Sequence, residues 1–254
     1  MTRDGMIEAL RAACEGCPDA LAAFLGGSDA SGRVDAWSDV DLVVIAEDGR
    51  GEATLRMVRE TVKRMGPLAL DFRLPEPTWH GMRQAFLRSA SSPEWLMVDV
   101  CVAERSSPPT LTERERHGEP VVWFDPEGLI RVTTMDADEH AVKVGAACET
   151  ARHKIALAGP LVRKALARGH VGEAADEYQR LVLAPLVTLV RAQHCPERFD
   201  FGLRYLDRDV PGDVRGRLER LAMPGGAEAL GESCAECEVW AREIGGARGR
   251  EPGA

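Results

Sequence analysis

Residues 25–42, LGGSDASGRVDAWSDVDL, restrict this chain more than any other stretch. A turn of small residues, Gly26, Gly27 and Ser28, is followed after ten residues by Asp39 and Asp41, one residue apart. The run DLVVIA over 41–46 predicts a buried strand. Side chains alternate along a strand, so Asp39 and Asp41 point to one face. Two carboxylates side by side repel each other, and holding them together calls for a cation. Hard oxygen ligands of this kind suit Mg²⁺, which takes one or two carboxylates plus substrate phosphates. Gly26 and Gly27 lack a Cβ, so backbone N–H groups can come close to a phosphate chain, and Ser28 adds a hydroxyl. Either half alone occurs in any loop or exposed strand; the order and spacing make the combination specific.

In that order and spacing, the segment resembles the signature of the polymerase-β-like nucleotidyltransferase superfamily, in which a Gly-Gly or Gly-Ser turn precedes Asp-x-Asp. The resemblance implies transfer of a nucleoside monophosphate from a nucleoside triphosphate, with Asp39 and Asp41 as metal ligands. It also implies a third acidic residue on a later strand, flanked by apolar residues. Asp99 in LMVDVCV is preferred, because several antibiotic nucleotidyltransferases place theirs after an excursion like residues 78–93. Asp71 in LALDFRL, on the first strand after the motif, is the alternative. Either aspartate would otherwise pair with an arginine such as Arg73. Gly27 and Ser28 are expected to lie against the triphosphate. Arg33 and Ser38 are close in sequence and would add a charge and a hydroxyl.

The remaining elements place these residues in an α/β domain over 1–130, a small mixed sheet with helices. Helical spacing covers 7–24, broken near Cys17-Pro18, with a short strand at 23–25. A helix is expected from Ser28 to Val34, its N-terminus toward the phosphates, and others over 52–65 and 78–89. Strands are expected over 67–74, 95–103 and 121–124. From about Asp136 the chain turns Ala-rich, which predicts an all-α helical bundle domain over 131–254. Its helices are expected over 136–166 with a break at Gly159-Pro160, 172–193 with a kink at Pro185, 213–221 and 227–244. The tail from about 245 is expected to be disordered.

The formal net charge of −9 argues against a long nucleic acid partner and favours a small acceptor, a cationic one included. No apolar run is long enough to span a bilayer, and the N-terminus lacks an apolar core, so a cytoplasmic protein is expected. Seven cysteines, an odd number, argue against a disulfide framework. Cys14 with Cys17 and Cys234 with Cys237 have zinc-ligand spacing, but both pairs fall in helices and read as buried thiols.

A general base for the acceptor hydroxyl is expected from the helical domain, and a carboxylate would also attract a cation. Residues 167–211 resemble, more loosely, the C-terminal part of aminoglycoside-type nucleotidyltransferases. That likeness puts Glu173 in the place of a helix-entry glutamate, with Glu177 one turn on as its rival. Arg198, Asp200, Arg204 and Asp207 either line the cleft or form a surface ion-pair network. Taken together, these resemblances imply Mg²⁺-dependent transfer of AMP from ATP to a hydroxyl of a small acceptor such as an aminoglycoside-like antibiotic, releasing pyrophosphate. The alternatives are a protein or tRNA acceptor, or a catalytically silent nucleotide-binding regulator.

Overall fold

In the computed structural model, which describes residues 1–109 and 112–247, a six-stranded mixed sheet organises the first of two units, Met1–Met135. Helix α1 (Arg3–Glu15) begins where the Thr2 hydroxyl accepts the Gly5 N–H. Strand β1 (Ala20–Leu25) follows, then the single-turn α2 (Gly27–Ala30), β2 (Val40–Ala46) and α3 (Gly51–Arg64). The unit continues with β3 (Leu68–Arg73), β4 (Arg83–Ser89), β5 (Val98–Glu104), the single-turn α4 (Arg114–His117) and β6 (Val121–Phe124). The strand order is β3-β4-β5-β2-β1-β6, with β2 parallel to β5 and the other neighbours antiparallel.

The two faces of the sheet differ. Val40, Leu42 and Val44 of β2 and Val98, Val100 and Val102 of β5 join α1 and α3 in the main core of this unit. Fully burying each such aliphatic side chain contributes about 1.5–3 kcal/mol. The alternate residues face the other way, where Phe24, Val43, Met82, Cys101 and Ala103 form a smaller cluster. Asp41 and Asp99 belong to this second face by alternation.

Several expected elements differ. Residues 83–89 form a strand, not the end of a helix over 78–89. Ala85, Leu87 and Ser89 are buried and their neighbours half-buried, a period of two that β3 and β5 enforce from either side. The first helix stops at Glu15 and the strand begins at Ala20, earlier than expected. The helix after the glycine turn ends at Ala30, and Gly32 beyond it is left-handed at φ +68°.

The second unit, Asp136–Ala254, is helical. Asp136 caps α5 (Ala137–Ala167) by accepting the Glu139 N–H at 2.9 Å. The expected break at Gly159-Pro160 is absent: α5 runs through both residues with Ala158, Gly159 and Val162 buried, and Gly159 packs so closely on α10 that a Cβ there would lie 1.7 Å from Glu238 Oε1. After the turn at Gly169 come α6 (Val171–Glu177), a π-helical segment at Tyr178–Leu183 and α7 (Ala184–His194). Pro185 is the second residue of α7 and the backbone is helical on both sides of it, so the irregularity in this stretch is the π segment just before the proline. A short 3₁₀ turn (Pro196–Arg198), α8 (Leu206–Asp209), α9 (Gly212–Ala222) and α10 (Ala227–Ala247) complete the unit. Residues 245–247, expected to be disordered, continue α10, and 248–254 lie outside the described residues.

At the centre of this unit the Tyr178 hydroxyl donates to the Leu221 carbonyl at 2.8 Å. Arg191 is fully buried, donating to Asp209 Oδ2 at 2.7 Å and to the carbonyls of Gly202, Arg198 and Arg204. Arg198 and Arg208 also reach Asp209, so part of the charged stretch 195–211 turns inward around one carboxylate. Cys234 and Cys237 lie in the core of this unit and Cys14 in that of the first; burial pushes the Cys14 thiol up to about 12. Among the described residues no helix is long and apolar enough to cross a membrane.

Candidate active site

Parallel register sets Asp41 on β2 directly beside Asp99 on β5. Asp39 stands one residue before β2. Arg3, reaching from α1, donates to its carbonyl through Nε at 2.9 Å and bonds Asp29 on α2 through Nη2. The negative charges act on one another. Burial pushes the Asp41 carboxyl up to about 7, and the charges of Asp39, Asp99 and Asp29 add to that against the opposing pull of Arg3. Burial also raises Asp99; the Gln84 hydrogen bond opposes it and Asp39 adds to it. Asp39 is raised by burial as well, against a backbone hydrogen bond and Arg3. Among the described residues no three His, Cys, Asp or Glu side chains converge on one point so as to hold a metal ion. The aspartates are neighbours held at an electrostatic cost. Hard, mutually repelling oxygens at the edge of a core are the donor set that a divalent cation relieves.

The glycine turn closes against this cluster. The Gly26 N–H donates to the Asp41 carbonyl at 2.9 Å, extending the β1–β2 pair by one bond. Gly27 is left-handed at φ +51°, and a Cβ there would lie 1.7 Å from Asp41 Oδ2. Glycine is therefore required twice, by backbone conformation and by the approach of the carboxylate. The Ser28 hydroxyl oxygen is buried and has no hydrogen-bond partner among the described residues. An unsatisfied buried hydroxyl is costly unless a ligand completes it.

Other expected residues lie as follows. Arg33 is on the exposed side of the turn, its backbone N–H on the Ser28 carbonyl at 2.9 Å. The Ser38 hydroxyl is engaged inside its own loop, accepting the Asp35 N–H at 2.9 Å and lying 3.0 Å from Asp35 Oδ1. Asp71 alternates to the opposite face of β3 from Phe72, which stacks on Phe86, the register partner of Asp99. Asp71 is paired with Arg59 of α3, not with Arg73, which binds Glu52 and Glu76. The sheet thus brings Asp99, and not Asp71, beside Asp41. In the helical unit, Glu173 is exposed with Oε2 3.1 Å from His170 Nδ1. Glu177, the last residue before the π segment, has a buried Oε2 with no partner among the described residues.

Three features of the cluster have no signature in the motif. Arg3 lies 36 residues from Asp39 and only the fold joins them. Gln84 donates to Asp99 Oδ1 at 2.7 Å, and His80 Nε2 lies 2.9 Å from Gln84 Oε1. Trp37 and Trp95 pack with ring centroids 4.6 Å apart, and Trp95 Nε1 donates to the Ala36 carbonyl at 3.2 Å. That contact ties the loop before Asp39 to the loop before β5.

No family model matches the chain, and no curated protein matches it. Among solved structures, it is similar to a spectinomycin adenyltransferase from Enterococcus faecialis, crystallised with ATP and spectinomycin. The likeness is 10% in sequence identity, with a TM-score of 0.35, over 98% of this chain and 98% of that one. A likeness of that degree establishes neither fold nor activity for this chain.

Proposed function

We propose that the chain is a Mg²⁺-dependent nucleotidyltransferase that moves AMP from ATP to a hydroxyl of a small acceptor. The observation that carries the reading is the pairing of Asp41 with Asp99 across β2 and β5, beside the left-handed Gly27 and the unpartnered Ser28 hydroxyl. Asp39, Asp41 and Asp99 would hold Mg²⁺, which when bound steadies the triphosphate and makes the attacking hydroxyl more acidic.

The chain's own residues supply the rest. Gly27 lets the backbone approach the phosphates, and the Ser28 hydroxyl donates to one of their oxygens. Arg33 and Ser38 are proposed as further phosphate contacts. Arg3 holds the Asp39 backbone and Asp29, which keeps the carboxylates in place before any ligand arrives. The acceptor oxygen bonds to the α-phosphorus in line, the bond from that phosphorus to the bridging oxygen breaks, and pyrophosphate leaves. A carboxylate is proposed to take the hydroxyl proton. Glu173 is the base that the sequence likeness suggests. Glu177 competes on the strength of its buried, unpartnered oxygen. Of Glu173→Gln and Glu177→Gln, the one that lowers kcat with nucleotide affinity intact identifies the base.

The acceptor class is proposed as an aminoglycoside-like antibiotic, in keeping with the net charge of −9. Calorimetric titration of ATP, GTP, CTP and UTP, with and without Mg²⁺, tests the site. Mg²⁺-dependent binding that Asp39→Asn abolishes supports the reading. A folded protein that binds none of the four overturns it.

A further inference from the structure

The segment between β3 and β4 carries a string of hydrogen bonds that ends on Asp99. The Met82 N–H donates to His80 Nδ1 at 3.1 Å. His80 Nε2 lies 2.9 Å from Gln84 Oε1, and Gln84 Nε2 donates to Asp99 Oδ1 at 2.7 Å. The direction of the string is fixed at both ends. The Met82 N–H can only donate, so Nδ1 accepts from it and the ring proton sits on Nε2; the Thr78 hydroxyl also lies 3.3 Å from Nδ1, its own proton directed to the Met82 carbonyl. A carboxylate can only accept, so the amide must turn its NH₂ to Asp99 and its oxygen to His80. Reversing the amide would set oxygen against carboxylate at one end and N–H against N–H at the other. The Thr78 hydroxyl donates to the Met82 carbonyl, and the Trp79 ring packs edge-on to His80 at 4.9 Å, which hold the loop.

We propose that His80 and Gln84 are positioning residues for Asp99. They bind Oδ1 with a neutral donor and leave Oδ2, which has no partner among the described residues, for the cation. The inference rests on the reading of Asp99 as a metal ligand given above. A neutral donor suits the task. An arginine or lysine in place of Gln84 would neutralise the carboxylate and compete with the cation, whereas an amide orients it and leaves its charge available. Partners behind a metal ligand commonly account for about 10–100-fold in metal affinity.

The test is Mn²⁺ binding by electron paramagnetic resonance in the presence of α,β-methylene-ATP, on the full chain. Gln84→Leu should weaken Mn²⁺ binding by about tenfold or more, with melting temperature and metal-free nucleotide affinity unchanged. His80→Phe should weaken it less, and should add nothing in a Gln84→Leu background, because both act through one string. A ¹⁵N spectrum of the wild-type imidazoles at pH 8, with His80 identified by its loss in His80→Phe, should show the proton on Nε2. That measurement does not depend on the Gln84 variant. A proton on Nδ1 overturns the proposal. So does Gln84→Leu binding Mn²⁺ like wild type while Asp99→Asn is impaired, which leaves Asp99 a ligand without this support. If Asp99→Asn binds Mn²⁺ like wild type, the reading of Asp99 fails and the positioning chain falls with it.

Discussion

Asp41→Asn should make the metal-free protein more stable at neutral pH while removing its nucleotide chemistry. Burial and three neighbouring carboxylates lift the Asp41 carboxyl from 3.8 to about 7. A carboxyl raised in the folded state binds its proton there across a pH range in which the unfolded chain has already released it. The folded state therefore carries more protons between about pH 4 and pH 7, and stability falls as pH rises through that window. A shift of about three pKa units corresponds to about 4 kcal/mol at pH 8. Asparagine has nearly the same shape and no charge, so the variant escapes this cost. Urea denaturation in the presence of EDTA, followed by tryptophan fluorescence, measures it. The readout favours the sheet unit, which holds Trp37, Trp79, Trp95 and Trp123 of the five tryptophans. The gap between variant and wild type should be near zero at pH 4, widen toward pH 7 and level off above. Mg²⁺ with ATP at 100 times its Kd should then stabilise wild type alone by about 2.7 kcal/mol, narrowing the gap. A gap independent of pH, or a variant less stable than wild type at pH 8, would refute the electrostatic reasoning.

Gly27→Ala should cost about 1–3 kcal/mol through its left-handed backbone, and by displacing the Asp41 carboxylate it should also abolish Mg²⁺-dependent ATP binding in calorimetry. Ser28→Ala should leave thermal stability unchanged or slightly raised, since it removes an unsatisfied hydroxyl, while weakening ATP binding by about 1 kcal/mol. Asp209→Asn should destabilise the helical unit by about 3–5 kcal/mol in urea denaturation, because it strips the counter-charge from the fully buried Arg191. Burial opposes ionisation of Asp209, but its bonds from Arg208, Arg198 and Arg191 outweigh that and hold the carboxyl below the ordinary range. Its stabilisation is thus present above about pH 4 and is lost as pH falls further.

What the sequence made legible was local. Strand alternation predicts Asp39 and Asp41 on one face, and the apolar run after them marks that strand without help from the rest of the chain, although β2 begins only at Val40. Asp99 was a choice between two similar strands. The register that pairs it with Asp41, and the alternation that turns Asp71 toward Arg59, exist only once β2, β3, β4 and β5 are assembled. The apolar spacing of 78–89 also fits a helical repeat, and for 83–89 two flanking strands settle the conformation. That same segment holds Gln84, so its bond to Asp99 was out of sight. Arg3 was invisible for another reason: nothing near an N-terminal arginine in sequence indicates a partner 36 residues away. The π segment, too, has no compositional marker. Its Tyr178, Val182 and Leu183 are buried in the core of the helical unit.

The wide turn of the π segment has a consequence for chain length. A residue deleted from an ordinary α-helix rotates everything beyond it by about 100°. In α7 this would swing Leu186, Val187, Leu189 and Val190, all buried, out of the core. A π turn holds one residue more than an α turn needs. Deleting one residue within Tyr178–Leu183 would tighten that turn to an ordinary α pitch and leave the helices on either side in phase. The helical unit therefore contains one place where the count of residues, rather than their kind, is open to change.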